Sequence, residues 1–245
     1  AAIDGLFRVD AGRLNRINLL EDIMIATRHG NTAVHRGDKL CGTRVIPLVI
    51  GEEKLRQAEE IAGDRPLLEL LPWKLKTAAI IATGSEVAKG LIQDAFTPAV
   101  ERKLASFGIE TTRRSTPGDD LDTISREILE ARAAGVDLIL CTGGMSVDPD
   151  DRTPGAIKAS GAAVVTYGAP VLPGAMFLLG YFEDGTPVLG LPGCVMYARS
   201  TIFDLVLPRI AAGIPVTREE IAAMGEGGLC LGCEVCTYPN CGFGK

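Results

Sequence analysis

The sequence predicts an α/β protein: three layers, α/β/α, around a mostly parallel sheet, with a small N-terminal segment before them and a Cys-rich C-terminal tail after them. Three observations lead there. Nearly unbroken apolar runs of strand length recur at residues 78–82 and 136–141, as in strands buried on both faces. Between them lie amphipathic stretches that start on capping residues and stop at glycine. Strand and helix then alternate through residues 75–213, the pattern of a sheet covered on both sides.

The bulk numbers bound the function. A chain of 245 residues with 47% hydrophobic composition can bury one full core, or one large core and a small appendage. The formal net charge of −6 argues against a nucleic-acid partner, which a basic surplus would favour. A polyanionic small ligand stays open, because backbone amides, helix N-termini and a bound cation can hold one without a basic surface. No apolar run reaches transmembrane length and no signal-peptide pattern opens the chain, so no membrane partner is expected. Seven cysteines without a secretory signal point to free thiols in a reducing, cytoplasmic compartment.

Three regions are expected: 1–74, 75–213 and 214–245. In the first, Asp10 caps a helix whose apolar positions run from Leu14 to Ile25, stopped at His29-Gly30-Asn31. Val34 and residues 45–50 read as extended, and residues 52–62 as a short helix; this stretch does not by itself close a compact domain. In the second region, residues 78–82 form a strand. Thr97 with Pro98 starts a helix ending at Phe107-Gly108. Residues 109–114 form the next strand, Asp120 starts a helix that Gly135 ends, and residues 136–141 form the third strand. Thr153-Pro154 caps another helix, residues 162–165 are extended, and Glu183-Asp184-Gly185-Thr186 joins a hairpin. Residues 195–210 read as the closing helix. His29 and His35 read as cap or surface residues.

Ligands of open parallel sheets collect at the carboxyl ends of the strands. The loop after the third strand offers Thr142, Gly143 and Gly144, whose backbone can approach an anion closely, and it runs into a helix start at Thr153. Asp148, Asp150 and Asp151 in the same loop would repel a phosphate unless a divalent cation such as Mg²⁺ bridged them. The turn of Gly190, Leu191, Pro192 and Gly193 presents amides in the same manner.

Taken in order, five motifs resemble the molybdopterin-binding domain family. They are Thr83-Gly84-Ser85-Glu86-Val87; Gly90 with Asp94; Asp119-Asp120; Thr142-Gly143-Gly144-x-Ser146-Val147 with Asp151-x-Thr153-Pro154; and Gly190-Leu191-Pro192-Gly193. The family includes molybdopterin adenylyltransferases and molybdopterin molybdotransferases, and the resemblance covers about residues 75–213. Residues 10–50 loosely resemble the piece that precedes this domain in molybdotransferases. The resemblance implies a molybdopterin-binding fold and a transferase of molybdenum-cofactor biosynthesis. The implied ligands are molybdopterin or adenylylated molybdopterin, molybdate and Mg²⁺, and the implied assembly is a dimer or trimer. It implies catalytic roles for Asp94, Asp119 and Asp151. It implies ligand contacts for Thr83, Gly84, Ser85, Glu86, Thr142, Gly143, Gly144, Ser146, Thr153, Pro192 and Gly193. Two other readings stay open: a carrier or sensor that binds cofactor without turnover, and a pyrophosphatase acting on ADP-ribose-like nucleotides.

Departures from the family pattern are Cys141 before the Thr-Gly-Gly, Asp148-Pro149-Asp150, and Cys194-Val195 after the Leu-Pro-Gly. A thiol at the start of the closing helix would be stabilised as thiolate and could touch ligand or metal, but a packed thiol is the preferred reading of Cys194. The C-terminal β-domain of full molybdotransferases is not matched; the tail stands there instead. Its four cysteines, Cys230, Cys233, Cys236 and Cys241, suit an iron–sulfur cluster or a Zn²⁺ site. Without metal, residues 225–245 are expected to bury little and to be mobile.

Overall fold

The structure, a computed structural model, describes residues 1–84, 94–146 and 151–245. The chain divides into two compact units, Ala1–Trp73 and Lys74–Lys245.

The first unit begins with β1 (Gly5–Val9) and α1 (Ala11–Asn18), whose N-terminus is capped by the Asp10 carboxylate taking the Arg13 N–H. Next come β2 (Ile23–Thr27), β3 (Thr32–Val34), β4 (Cys41–Val45), α2 (Glu52–Ala62) and β5 (Leu68–Leu71). The strands form a three-stranded antiparallel sheet, β3-β1-β5, and a β2–β4 ribbon. The expected long first helix is corrected: it stops at Asn18, and Ile23 and Ile25 lie on a strand. The Asn18 amide is the reason. It donates to the Ile25 carbonyl at 3.0 Å and accepts the Ile25 N–H at 2.8 Å, a strand-like pairing that competes with helix. Residues 46–50 are not strand either, and Leu48 is fully exposed. Ile17, Ile23 and Ala58 form the buried centre.

The second unit holds the six-stranded sheet. Its strands are β6 (Thr77–Ala82), β7 (Glu110–Ser115), β8 (Leu138–Thr142), β9 (Ala163–Tyr167), β10 (Leu178–Tyr181) and β11 (Pro187–Leu191). The order is β7-β6-β8-β11-β10-β9. All pairings from β7 to β11 are parallel; β10 alone runs against its two neighbours. The helices are α3 (Phe96–Ala105), α4 (Leu121–Ala133), α5 (Thr153–Ala159), α6 (Ile202–Ala211) and α7 (Arg218–Ala223). Ala79, Ile81, Ile139 and Cys141 pack with Ile124 and Ile128 of α4 and Ile157 of α5. The alternating residues Ile80, Leu138 and Leu140 are just as buried, so both sheet faces are covered. The edge strand β7 is half exposed and carries Arg113 and Arg114, paired with Glu130 and Glu101.

Three local expectations are corrected here. Thr97 does not start α3 with its own side chain; the Asp94 carboxylate does, accepting from the Phe96 and Thr97 N–H groups at 2.8 and 3.1 Å. The closing helix does not begin at Val195. A 3₁₀ turn spans Gly193–Met196, and α6 starts after a capping box in which Thr201 and Asp204 satisfy each other's backbone N–H. The tail is docked rather than loose. Leu172 bridges Leu229, the Cys230 N–H donates to the Leu172 carbonyl at 2.8 Å, the Tyr238 hydroxyl donates to the Asp204 carbonyl at 2.8 Å, and Phe243 is buried. Two aromatic anchors supply the burial that the glycine-rich composition concealed.

Candidate functional site

The site is built by strand register. Ala82 pairs with Thr142, and Thr142 pairs with Leu191, so β6, β8 and β11 end in one row. The chain leaves β6 toward β7 on one side and returns through β8 on the other, so this row is where the connections diverge, the place at which open parallel sheets bind their ligands. The loops that follow the row begin with Thr83-Gly84, Gly143-Gly144 and Pro192-Gly193.

Two of these loops are clamped together. The Thr83 N–H donates to the Thr142 carbonyl at 2.7 Å, and the Thr83 hydroxyl lies 3.0 Å from the same oxygen. The Thr83 and Thr153 hydroxyls are 3.0 Å apart, which ties the start of α5 to the β6 loop. At Gly143 a β-carbon would stand 2.3 Å from the Thr83 carbonyl oxygen, and its φ is +85°, so this position takes glycine for both reasons. Met145 turns inward over Gly190, where a β-carbon would meet its thioether end at 2.5 Å. That buried methionine pins the loop to the sheet.

Asp151 closes the β8 loop by accepting the Ser146 N–H at 2.5 Å. The Tyr167 hydroxyl donates to the Ser146 carbonyl at 3.2 Å, and burial and the Asp151 charge both push its phenol above the ordinary value. Tyr167 joins the site from the end of β9, and nothing in its sequence neighbourhood marked it. The Thr142 hydroxyl is fully buried and has no hydrogen-bond partner among the described residues. Gly193 is exposed, with open space where a β-carbon would be. An orphaned hydroxyl, an open glycine turn and a glycine-lined loop on one rim fit an anionic ligand of the phosphate-bearing kind.

The other expected residues are placed differently. Asp94 spends both carboxylate oxygens on the cap of α3, the second on the Thr97 hydroxyl. Asp120 caps α4 through the Thr123 N–H and hydroxyl, and Asp119 stands exposed just ahead of it. Ser85, Glu86, Asp148 and Asp150 lie outside the described residues. Among the described residues no three His, Cys, Asp or Glu side chains are grouped to hold a metal ion. Cys194 sits in the 3₁₀ turn, and burial raises its thiol above the ordinary value, outweighing the backbone bond that lowers it, as the packed reading expects. Cys141, wholly buried in β8, is pushed up to about 12 by burial alone.

A family model described as a probable molybdopterin binding domain matches residues 79–212, more than half of the chain and all of the rim just described. The chain belongs to the molybdopterin-binding domain family. Within it, a CinA-like protein of Desulfosudis oleivorans is 40% identical over 80 residues, covering 33% of this chain and 19% of the relative. A protein named probable FAD synthase in Caenorhabditis elegans is 36% identical over 78 residues, covering 32% and 15%. A molybdopterin molybdenumtransferase of Staphylococcus aureus is 32% identical over 127 residues, covering 49% and 30%. The chain thus spans less than a third of the length of each of these relatives. Among solved structures, CinA of Thermoplasma acidophilum matches with a TM-score of 0.48 and 20% identity, over 56% of this chain and 98% of that one. The molybdopterin biosynthesis enzyme MoaB of Thermus thermophilus matches with 0.46 and 24%, over 58% and 99%. In this molybdopterin-binding domain the family-matched stretch contains the six strands from Ala79 of β6 onward, and the cysteine tail falls outside it.

Proposed function

We propose that this domain binds molybdopterin, or its adenylylated form, on the rim of β6, β8 and β11, and serves as a transferase in molybdenum-cofactor assembly. The reaction class is adenylyl transfer to molybdopterin or molybdate insertion. The single observation behind the reading is the row of Ala82, Thr142 and Leu191, from which three glycine-bearing loops start side by side. Amides around Gly143, Gly144 and Gly193 take the phosphate oxygens, and the Thr142 hydroxyl finds its missing partner there. Arrival of a phosphate also competes for the Ser146 N–H now held by Asp151, which frees that carboxylate to act beside the ligand. Asp119, in the loop between β7 and α4, is the second carboxylate of the proposal. Mg²⁺, where bound, offsets charge as a phosphoanhydride forms or breaks.

Calorimetry with molybdopterin tests this. The intact chain binds, and Gly143→Ala, which drives a β-carbon into Thr83, weakens binding at least tenfold. An intact chain without pterin affinity overturns the proposal, and hydrolysis of an ADP-ribose-like nucleotide in its place would favour the pyrophosphatase reading.

A second reading, a carrier that holds the pterin without turnover, draws on Asp94, whose carboxylate is committed to a helix cap rather than to the rim. ATP- or molybdate-dependent turnover decides between the two, since a carrier binds and does nothing more.

A further inference from the structure

The cysteine tail is unused by the pterin rim, yet the fold gives it a definite shape. Cys230, Cys233, Cys236 and Cys241 all line one cavity of about 540 Å³. All four are free thiols. The segment is held at both ends: the Cys230 N–H bonds to the Leu172 carbonyl, and the Gly244 N–H to the Gly227 carbonyl at 2.9 Å. Between these ends, the Tyr238 hydroxyl anchors to the Asp204 carbonyl, and Phe243 is buried beneath. The cavity wall is largely apolar, through Leu229, Pro173 and Phe243, with Arg199 and Glu234 bringing one charge of each sign. The Ser200 hydroxyl lies 3.7 Å from the Cys236 sulfur.

The cysteine spacing along the chain and the cavity that the four share bear on the occupant. Around one Zn²⁺ each sulfur stands about 2.3 Å from the ion, so neighbouring sulfurs crowd to roughly 4 Å. Among the described residues no three His, Cys, Asp or Glu side chains are grouped as they stand to hold a metal ion, so the choice of centre rests on the cysteine spacing along the chain and on the cavity the four share. Four cysteines that line one largely apolar cavity match a polynuclear centre, in which each cysteine binds a different iron and the inorganic sulfides fill the middle. The run of three cysteines with two residues between neighbours, followed by a fourth, supplies four ligands for one such centre.

We propose that these four cysteines hold an iron–sulfur cluster, a site separate from the pterin rim. Each thiol gives its proton to solvent as its sulfur bonds iron. The inorganic sulfide comes from outside the chain.

The test uses the full chain, purified without oxygen and reconstituted with ferric iron, sulfide and a thiol reductant that reduces part of the iron to ferrous. Iron and acid-labile sulfide are expected in near-equal amounts, with a broad visible absorption that bleaches on dithionite reduction. Cys233→Ser and Cys241→Ser should each lose at least half of the iron and sulfide, while Cys41→Ser, outside the tail, retains both. Far-UV circular dichroism of the variants separates loss of the cluster from loss of the fold. If a variant is unfolded, the intact chain's iron and sulfide content decides. Stoichiometric zinc without labile sulfide overturns the proposal, as does an intact chain that takes up no iron, or folded tail variants that keep the full complement.

Discussion

The hydroxyl of Thr83 lies 3.0 Å from that of Thr153, and both residues are buried. Each hydroxyl has one proton. With Thr83 donating to the Thr142 carbonyl, Thr153 must donate to Thr83, which makes a relay from helix to loop to strand. The relay is directional, so its members are not equivalent. Thr83→Val removes both bonds and strands the Thr153 hydroxyl, at a cost of about 1–3 kcal/mol. Thr153→Val leaves the Thr83–Thr142 bond in place and costs about 1 kcal/mol. Urea denaturation of the two variants measures the difference; equal losses would show that the relay does not run this way.

Two glycines at the rim differ in what a side chain would strike. At Gly143 the obstacle is backbone, the Thr83 carbonyl, and φ is positive. At Gly190 it is chiefly the flexible end of Met145. Gly143→Ala should therefore cost at least about 2 kcal/mol, and Gly190→Ala about 1 kcal/mol as Met145 swings aside. Thermal melts with both variants check the order, and a more damaging Gly190→Ala would contradict it.

Asp94 can be tested for chemistry apart from its cap. Asn accepts the Phe96 and Thr97 N–H groups as well as Asp does, so Asp94→Asn should melt close to the parent, whereas Asp94→Ala loses about 1 kcal/mol. If Asp94→Asn also keeps full turnover, the residue is structural; a folded Asp94→Asn with lost turnover restores the catalytic assignment.

The carboxyl of Asp184, in the hairpin turn, is held down to about 2 by the Thr186 backbone and side chain and then by Arg132. A carboxyl lowered in the folded chain stabilises it above the ordinary value of 3.8, and that contribution is lost as pH falls from about 4 toward 2. The side chain is about half exposed to solvent, so the effect is small. Asp184→Asn should lower the melting temperature slightly at neutral pH and leave it close to the parent's near pH 2, so the acid limb is flatter in that window. An identical acid limb in the variant would rule the contribution out.

The parts legible in the sequence were those decided locally. The strands β6 and β8 are apolar runs with no competing pattern, and Asp120 announces α4 by its spacing to Thr123. The rim loops were legible as glycine pairs at strand ends. Distant partners were not. The first unit closes because Leu6 pairs with Leu71, across more than sixty residues that carry no mark of it. Tyr167 reaches Ser146 only because β9 folds onto the far edge of the sheet. The start of α6 was missed although its signal was present: Thr201 and Asp204 form a capping box, but the apolar residues from Val195 onward masked the break. The tail misled in the opposite direction, since glycine content spoke louder than Tyr238 and Phe243.

The reversal of β10 bears on when the molecule becomes competent. Thr142 waits nearly fifty residues for Leu191, which arrives only after the chain has gone out along β9, doubled back through β10 and returned. A nascent chain halted before the hairpin therefore carries two of the three loops and lacks the third wall. In the finished protein, brief detachment of the same hairpin would dismantle the rim while β6, β7 and β8 stay paired. Amide exchange in β10 and β11 thus reports how often the binding surface is whole.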